Sequence, residues 1–120
     1  MQREGPQDIR ERTFRFTCDV YDYCQQLVLL PGLPRRLGFQ LFDAAASAGS
    51  NLEEAKAAYS RKEFAAKNAI SLKECRESRY WLKVAETKRL GNQGECVRLL
   101  QEAHELTAIL TTIVKRLQDR

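Results

Sequence analysis

The chain of 120 residues has the length of one domain, and its content of 43% hydrophobic and 30% charged residues is typical of a folded protein rather than a disordered one. Its mean hydropathy of −0.50 and the lack of an apolar run of about 18 residues argue against a membrane span, and the polar amino terminus argues against a secretory signal, so we expect a cytoplasmic protein with no membrane partner. The formal net charge of +4 permits an acidic partner without requiring one.

Three breaks divide the chain into four segments with helical periodicity. The breaks lie at residues 31–34, 59–61 and 91–94, where proline, glycine and small polar residues interrupt the apolar pattern. No segment alternates with the period of two that strands show. We expect a disordered or frayed tail over residues 1–8 and a single four-helix-bundle domain over residues 9–120.

The first segment covers residues 9 to 30. Its apolar residues recur at spacings of three and four, with charged residues on the opposite side, which predicts an amphipathic helix. The predicted core residues are Phe16, Val20, Tyr23, Cys24, Leu27 and Val28.

The second segment covers residues 36 to 58 and has a narrow, alanine-rich stripe, which allows a neighbouring helix to approach closely. Gly49 and Ser50 weaken the helix in its middle, so a kink or a tight contact is expected there. The stripe consists of Leu37, Leu41, Ala45, Ala48, Leu52 and Ala55.

The third segment opens with Ser60 and Glu63, the spacing of a capping box. It is predicted to end near Leu90, with Gly91 as a left-handed stop. Asn68 on its core face must find a buried hydrogen-bond partner or face water. The predicted core face consists of Phe64, Asn68, Ser71, Cys75, Ser78, Leu82 and Ala85.

The same helix has two further faces that a bundle does not require. Residues 56–90 hold ten basic and four acidic side chains, so the positive excess of the chain is concentrated here. One face is basic, with Tyr80 beside it; it either contacts phosphates or is simply solvated. The basic residues are Lys62, Lys73, Arg76, Arg79 and Lys83.

The other face is an apolar stripe that either packs against a second copy of the chain or belongs to a broad core face that covers a short loop. Exposed contiguous apolar surface usually marks an interface, and tryptophan is a frequent anchor there, so we favour an oligomer interface. The stripe consists of Ala66, Ile70, Trp81 and Val84.

The fourth segment starts near Asn92 or Gln93 and runs to about Gln118 with a wide apolar face. Four helices with short connections predict an all-α fold, the antiparallel up-and-down four-helix bundle. The predicted apolar face consists of Val97, Leu100, Ala103, Leu106, Thr107, Leu110, Ile113, Val114 and Leu117.

The stretch from Gly38 to Leu82 carries a family resemblance, most specifically in Ile70-Ser71-Leu72-Lys73-Glu74-Cys75-Arg76-Glu77-Ser78-Arg79-Tyr80-Trp81-Leu82. It resembles the bacterial four-helix-bundle proteins first noticed as reading frames inside intervening sequences of large-subunit ribosomal RNA genes. The matching signature residues, to which we assign a structural role, are Ser47, Asn51, Glu54, Phe64, Glu77, Tyr80 and Leu82.

The resemblance implies a four-helix bundle that assembles into a ring-like homopentamer. It also implies kinship with the accessory protein of diversity-generating retroelements, whose basic pentamer binds nucleic acid and a reverse transcriptase. No catalytic residue carries over. We therefore expect a non-catalytic oligomer that binds RNA or DNA through the basic face, with a nucleic-acid enzyme as a possible partner. The alternative is an oligomeric scaffold for another protein.

Other chemistry has little support in the residues. The single histidine, His104, lacks the glutamate three positions before it that a di-metal bundle site needs, so no metal, cofactor or enzyme activity is expected. Glu54 and Arg79 could pair across the bundle, either as a polar site or as a network that fixes helix register. Four cysteines without a C-x-x-C pair are expected to be buried free thiols: Cys18, Cys24, Cys75 and Cys96.

Overall fold

The computed structural model describes the backbone of residues 6–119 and the side chains of residues 9–119. Within that range the fold is all-α, as predicted, with four helices and no strand: α1 (Pro6–Val28), α2 (Leu33–Lys56), α3 (Arg61–Thr87) and α4 (Gln93–Gln118). Helix α1 thus includes Pro6 to Asp8, and the rest of the expected amino-terminal tail lies outside the described residues. None of the four helices is long and apolar enough to cross a bilayer.

Sequential helices pack side by side and α4 returns to α1, which closes an up-and-down bundle. Cross-helix contacts fix the antiparallel directions. Arg12 and Asp19 of α1 pair with Glu102 and Arg98 of α4, respectively, so α4 descends as α1 rises. Between α2 and α3, the Ser71 hydroxyl donates to the Ala48 carbonyl at 2.7 Å and the Lys67 ammonium donates to Glu54 at 2.6 Å, so these two helices are antiparallel as well.

The core lies where the apolar stripes of the four helices meet. The predicted stripes of α1, α2 and α3 are buried, apart from the half-buried Val28 and Phe64 at their edges. The stripe predicted for α4 is partly wrong, because Val97 is exposed and its neighbours Cys96 and Leu99 are buried instead. The predicted face is too wide at Val97 and omits Cys96 and Leu99, which share the angular range of the strip that the packed helix buries around Ala103 and Leu106.

Helix α2 begins earlier than predicted. Gly32 has a φ of 76°, and Pro34 lies in the first turn of the helix, where no backbone N–H is needed. The break between α1 and α2 is therefore confined to residues 29–32, and Pro34 begins the helix instead of interrupting it.

The capping box of α3 is confirmed, because the Ser60 hydroxyl accepts from the Glu63 amide at 3.1 Å. The predicted end of this helix is wrong. Helix α3 ends at Thr87, and Arg89 adopts the left-handed conformation with φ 57°, while the Leu90 amide donates to the Ala85 carbonyl at 2.9 Å. This is the pattern of a Schellman cap, with arginine in the position that glycine usually occupies.

The tight contact expected at Gly49 is present. A Cβ atom at this position would lie 3.2 Å from the Thr17 hydroxyl oxygen, so α1 and α2 approach closely here. The same hydroxyl donates to the Ala45 carbonyl at 2.9 Å and joins the two helices. Asn68 is 3% exposed and finds its partner within α3, where its side-chain amide donates to the Phe64 carbonyl at 2.8 Å.

The expectation for the cysteines holds for three of the four. All are free thiols, but Cys18 is exposed, because it lies on the outer side of α1 between the buried Phe16 and Val20. Burial raises the pKa of the Cys24 and Cys75 thiols to about 12, which keeps both in the neutral form.

Candidate nucleic-acid-binding face of helix α3

The basic face of α3 is a row of cationic side chains along the outside of the bundle. Four of the five are exposed and Arg79 is half-buried. None of the five forms an ion pair with a described residue. At 1.5 Å per residue, the distance from Lys62 to Lys83 along the helix axis is about 30 Å, close to one turn of a nucleic-acid duplex.

Cations at the seam between α1 and α4 are paired with carboxylates. Arg12 of α1 contacts Glu102 at 2.8 Å and Glu105 at 2.9 Å, and these hydrogen bonds raise the pKa of Arg12. Arg98 of α4 lies 3.3 Å from Asp19. The seam between α1 and α4 is therefore charge-balanced, and the uncompensated positive charge of α3 dominates the face that this helix presents to solvent.

The suggested pair between Glu54 and Arg79 does not form. Glu54 instead accepts from the Lys67 ammonium at 2.6 Å. The antiparallel register explains this, because Ser71 lies opposite Ala48, which places Lys67 beside Glu54 and Arg79 about three turns away. Glu54 is therefore part of an exposed ion pair, and Arg79 keeps its charge for other contacts.

Tyr80 lies within the basic face and is 60% exposed. Its ring contacts that of Trp81 edge to face, with 5.3 Å between ring centroids and 70° between ring planes. The Trp81 indole nitrogen donates to the Glu77 carboxylate at 3.1 Å. The indole is thus held in place from within α3, and the Tyr80 ring is left largely open to solvent.

The apolar stripe on α3 is divided between two environments. Ala66 is exposed and Ile70 is 36% exposed, whereas Trp81 and Val84 are half-buried against the bundle core. The carboxy-terminal half of the stripe therefore packs against the core of its own chain. The amino-terminal half, at Ala66 and Ile70, is the part that stays exposed in a single chain.

The signature residues occupy structural positions for the most part. The Asn51 side chain donates to the Ser47 carbonyl at 2.9 Å within α2, and Leu82 is fully buried in the core. Phe64 is half-buried and Glu77 holds the indole of Trp81. Tyr80 differs from the others, because most of its ring contacts solvent.

No cluster of three histidine, cysteine, aspartate or glutamate side chains that could hold a metal lies within the described part of the chain. His104 is exposed on α4. Sequence reasoning missed a shallow apolar cavity of about 190 Å³ between α1 and α2, where Tyr21, Phe39 and Phe42 meet. The signal was available, because Phe39 and Phe42 are three residues apart and fall outside the predicted core stripe of α2.

The comparisons with known proteins agree with this architecture. Residues 7–112 match the family model described as 23S rRNA-intervening sequence protein. The fold is similar to the crystal structure of a protein of unknown function from the S23 ribosomal protein family of Bacteroides thetaiotaomicron, with a TM-score of 0.80 and 24% sequence identity over 89% of this chain and 98% of that chain. At this identity the likeness establishes the fold alone. No curated protein sequence matches the chain.

Proposed function

Because the chain belongs to the 23S rRNA-intervening sequence protein family, with four helices in the bundle that the resemblance implied, we propose that it is a non-catalytic, oligomeric protein that binds nucleic acid through the basic face of α3. The observation that carries the proposal is the row of unpaired cations from Lys62 to Lys83. Each phosphate that such a cation neutralises releases a condensed counterion, which favours association at low salt.

Oligomerisation would strengthen a contact that is weak in one copy. We propose a homopentamer, as the family resemblance implies, in which Ala66 and Ile70 contribute to the contact between copies. Five basic faces on one assembly would bind a single strand or duplex several times over, and the linked contacts would raise the overall affinity well above that of one face. An RNA or DNA enzyme acting on the same nucleic acid is the further partner that fits such an accessory factor.

The first experiment measures nucleic-acid binding by fluorescence anisotropy at 50 to 200 mM salt, with duplex DNA, single-stranded DNA and a structured RNA. Five phosphate contacts predict, for each basic face that is bound, a slope of about −4.5 for log K against log salt with duplex DNA. The double variant Arg76→Gln with Lys83→Gln should reduce this slope to about −2.7.

The matched control for this experiment is Lys115→Gln with Arg116→Gln, which removes the same charge from two exposed positions of α4. It should leave the slope nearly unchanged, because these side chains lie outside the basic face of α3. If no ligand binds in a salt-dependent way at 50 mM, the proposal is wrong. If both double variants lose affinity equally, binding depends on the overall charge and the assignment to the basic face of α3 is wrong.

The second experiment measures the mass in solution by light scattering. A mass near five times the 13.8 kDa of one chain is expected. Ile70→Glu should lower the mass while the helical circular dichroism is retained, and Val97→Glu is the control, because Val97 is an exposed apolar residue of α4. A wild-type mass near 13.8 kDa would contradict the oligomer proposal.

The scaffold alternative also has an observation in its favour. Apolar side chains are exposed at the turn between α1 and α2, where Leu29 and Leu33 flank Gly32 and Phe39 borders the shallow cavity. This surface has the chemistry of a protein contact. Absence of all nucleic-acid binding, together with a high mass in solution, would favour the scaffold.

A further inference from the structure

Tyr80 is an exposed aromatic residue with a cation before it and a cation after it on one face of α3. On a helix, side chains three and four residues apart lie next to each other on one face. Arg76 precedes Tyr80 by four residues and Lys83 follows it by three, while the carboxylate of Glu77, three residues before Tyr80, accepts from the Trp81 indole. Along the helix axis, the Cα atom of Arg76 lies about 6 Å before that of Tyr80, and the Cα atom of Lys83 lies about 4.5 Å after it.

Tyr21 provides an internal comparison. It is 53% exposed, and its ring contacts that of Phe42 edge to face with 5.8 Å between ring centroids. The positions three and four residues away hold threonine, cysteine and glutamine, so none of these neighbours is charged. Tyr21 is therefore an exposed tyrosine in an aromatic pair without cations beside it, whereas Tyr80 is the same kind of side chain inside the basic face.

An exposed aromatic ring between cations is the arrangement with which proteins hold single strands. Bases of a single strand can separate from one another and stack on aromatic side chains, while the flanking phosphates contact lysine and arginine. In a duplex the faces of the bases are covered by neighbouring bases. The phosphates of a duplex can therefore contact the cations, but its bases cannot stack on the Tyr80 ring.

We propose that the basic face of α3 binds single-stranded nucleic acid, RNA or DNA, with one base stacked on Tyr80 between phosphates that contact Arg76 and Lys83. This inference rests on the proposed nucleic-acid binding and adds the strandedness of the ligand and the residue that selects it. Base stacking is common to every nucleotide, so the face discriminates single strands from duplexes and not one sequence from another.

The test compares three labelled probes: a ten-nucleotide oligothymidylate, an abasic strand of the same length, and a duplex. The abasic strand keeps the phosphates and lacks the bases. The wild-type protein should bind oligothymidylate more tightly than the abasic strand. Tyr80→Ala should weaken oligothymidylate binding about 5- to 150-fold and leave binding of the abasic strand and the duplex unchanged.

Two further variants separate stacking from general damage. Tyr80→Phe retains the ring and should bind oligothymidylate like the wild type. Tyr21→Ala removes an equally exposed tyrosine from α1 and should have no effect on any probe. Circular dichroism of each variant reports whether the bundle is intact.

The single tryptophan offers a readout that needs no variant. Trp81 lies 5.3 Å from the Tyr80 ring between centroids, so a base that stacks on Tyr80 should change its fluorescence. The change should follow oligothymidylate binding and be absent with the abasic strand.

The outcomes distinguish this inference from the proposed function. If none of the probes binds, both are wrong. If oligothymidylate and the abasic strand bind equally, with Trp81 fluorescence unchanged and Tyr80→Ala without effect, then the stacking inference is wrong and the basic face still binds phosphates.

Discussion

Gly91, in the turn between α3 and α4, provides the sharpest test of the packing described above. Its φ is 66°, in the left-handed region that costs an L-amino acid about 1–2 kcal/mol. A Cβ atom at this position would lie 2.9 Å from Cε1 of Tyr23 and 3.0 Å from Cδ1 of Leu27. Both side chains are fully buried, and the Tyr23 hydroxyl donates to the Leu90 carbonyl at 2.6 Å. Neither side chain can therefore move away from an added Cβ atom without disturbing the core.

Gly91→Ala should therefore destabilise the bundle by about 2–4 kcal/mol. Overpacking of a well-filled core contributes about 1–3 kcal/mol in addition to the backbone strain. Alanine also lowers the conformational entropy of the unfolded chain, and this offsets about 0.4–1 kcal/mol of the destabilisation.

Gly94 is the matched control, because it is only three residues further along the chain in the first turn of α4. A Cβ atom there would meet only the Asn92 side-chain oxygen, at an ordinary distance of 3.4 Å. Gly94→Ala should be neutral or stabilising by up to about 1 kcal/mol, because alanine favours the helix.

The assay is urea unfolding followed by circular dichroism. All variants are compared at one protein concentration, since the stability of an oligomer depends on it. Equal unfolding midpoints for Gly91→Ala and Gly94→Ala would refute the assignment of Gly91 as the close contact between the α3–α4 turn and α1.

Three other outcomes are expected from the same unfolding assay. Arg89→Gly should stabilise the protein by about 0.5–1 kcal/mol, because glycine relieves the left-handed strain at φ 57°, and a decrease in stability would contradict the cap assignment. Tyr23→Phe should cost about 1 kcal/mol, because it removes the hydrogen bond to the Leu90 carbonyl, and an unchanged midpoint would show that this bond adds nothing. Stability should fall as the pH rises from about 9 towards 12, because the buried thiols of Cys24 and Cys75, with pKa values raised to about 12, ionise in this range only after unfolding. Replacing Cys75 by alanine should make that fall shallower, and an identical pH profile would contradict the role given to the thiol.

The helix faces could be predicted from the sequence because burial follows the helical period of 3.6 residues. The stripe of α2 from Leu37 to Ala55 is buried as expected, and so is the core face of α3 around Cys75. The end of α3 could not be predicted, because Gly91 is the local signal for a left-handed residue and has a φ of 66°, whereas the cap lies two residues earlier, at Arg89 with a φ of 57°.

Contacts between helices could not be predicted from the sequence, for a different reason. The partner of Glu54 depends on how far α2 and α3 slide past each other, and one turn of displacement changes the neighbour. The pairing of Arg12 with Glu102 joins residues that are distant in the chain, and no local pattern predicts it. The basic face of α3 was predictable as a pattern, but only the packed bundle shows that its five cations form no ion pair with a described residue.

The closure of α1 against α4 has a consequence for the order of folding. Each of the other three pairs of packed helices is joined by a short turn, so those contacts form at little cost in chain entropy. The seam between α1 and α4 requires the two ends of the bundle to meet, and we expect it to form last. Interactions that form after the transition state slow unfolding without speeding folding. The ion pair between Arg12 and Glu102 should therefore lower the unfolding rate constant and leave the folding rate constant nearly unchanged. It would thus set the lifetime of the folded chain.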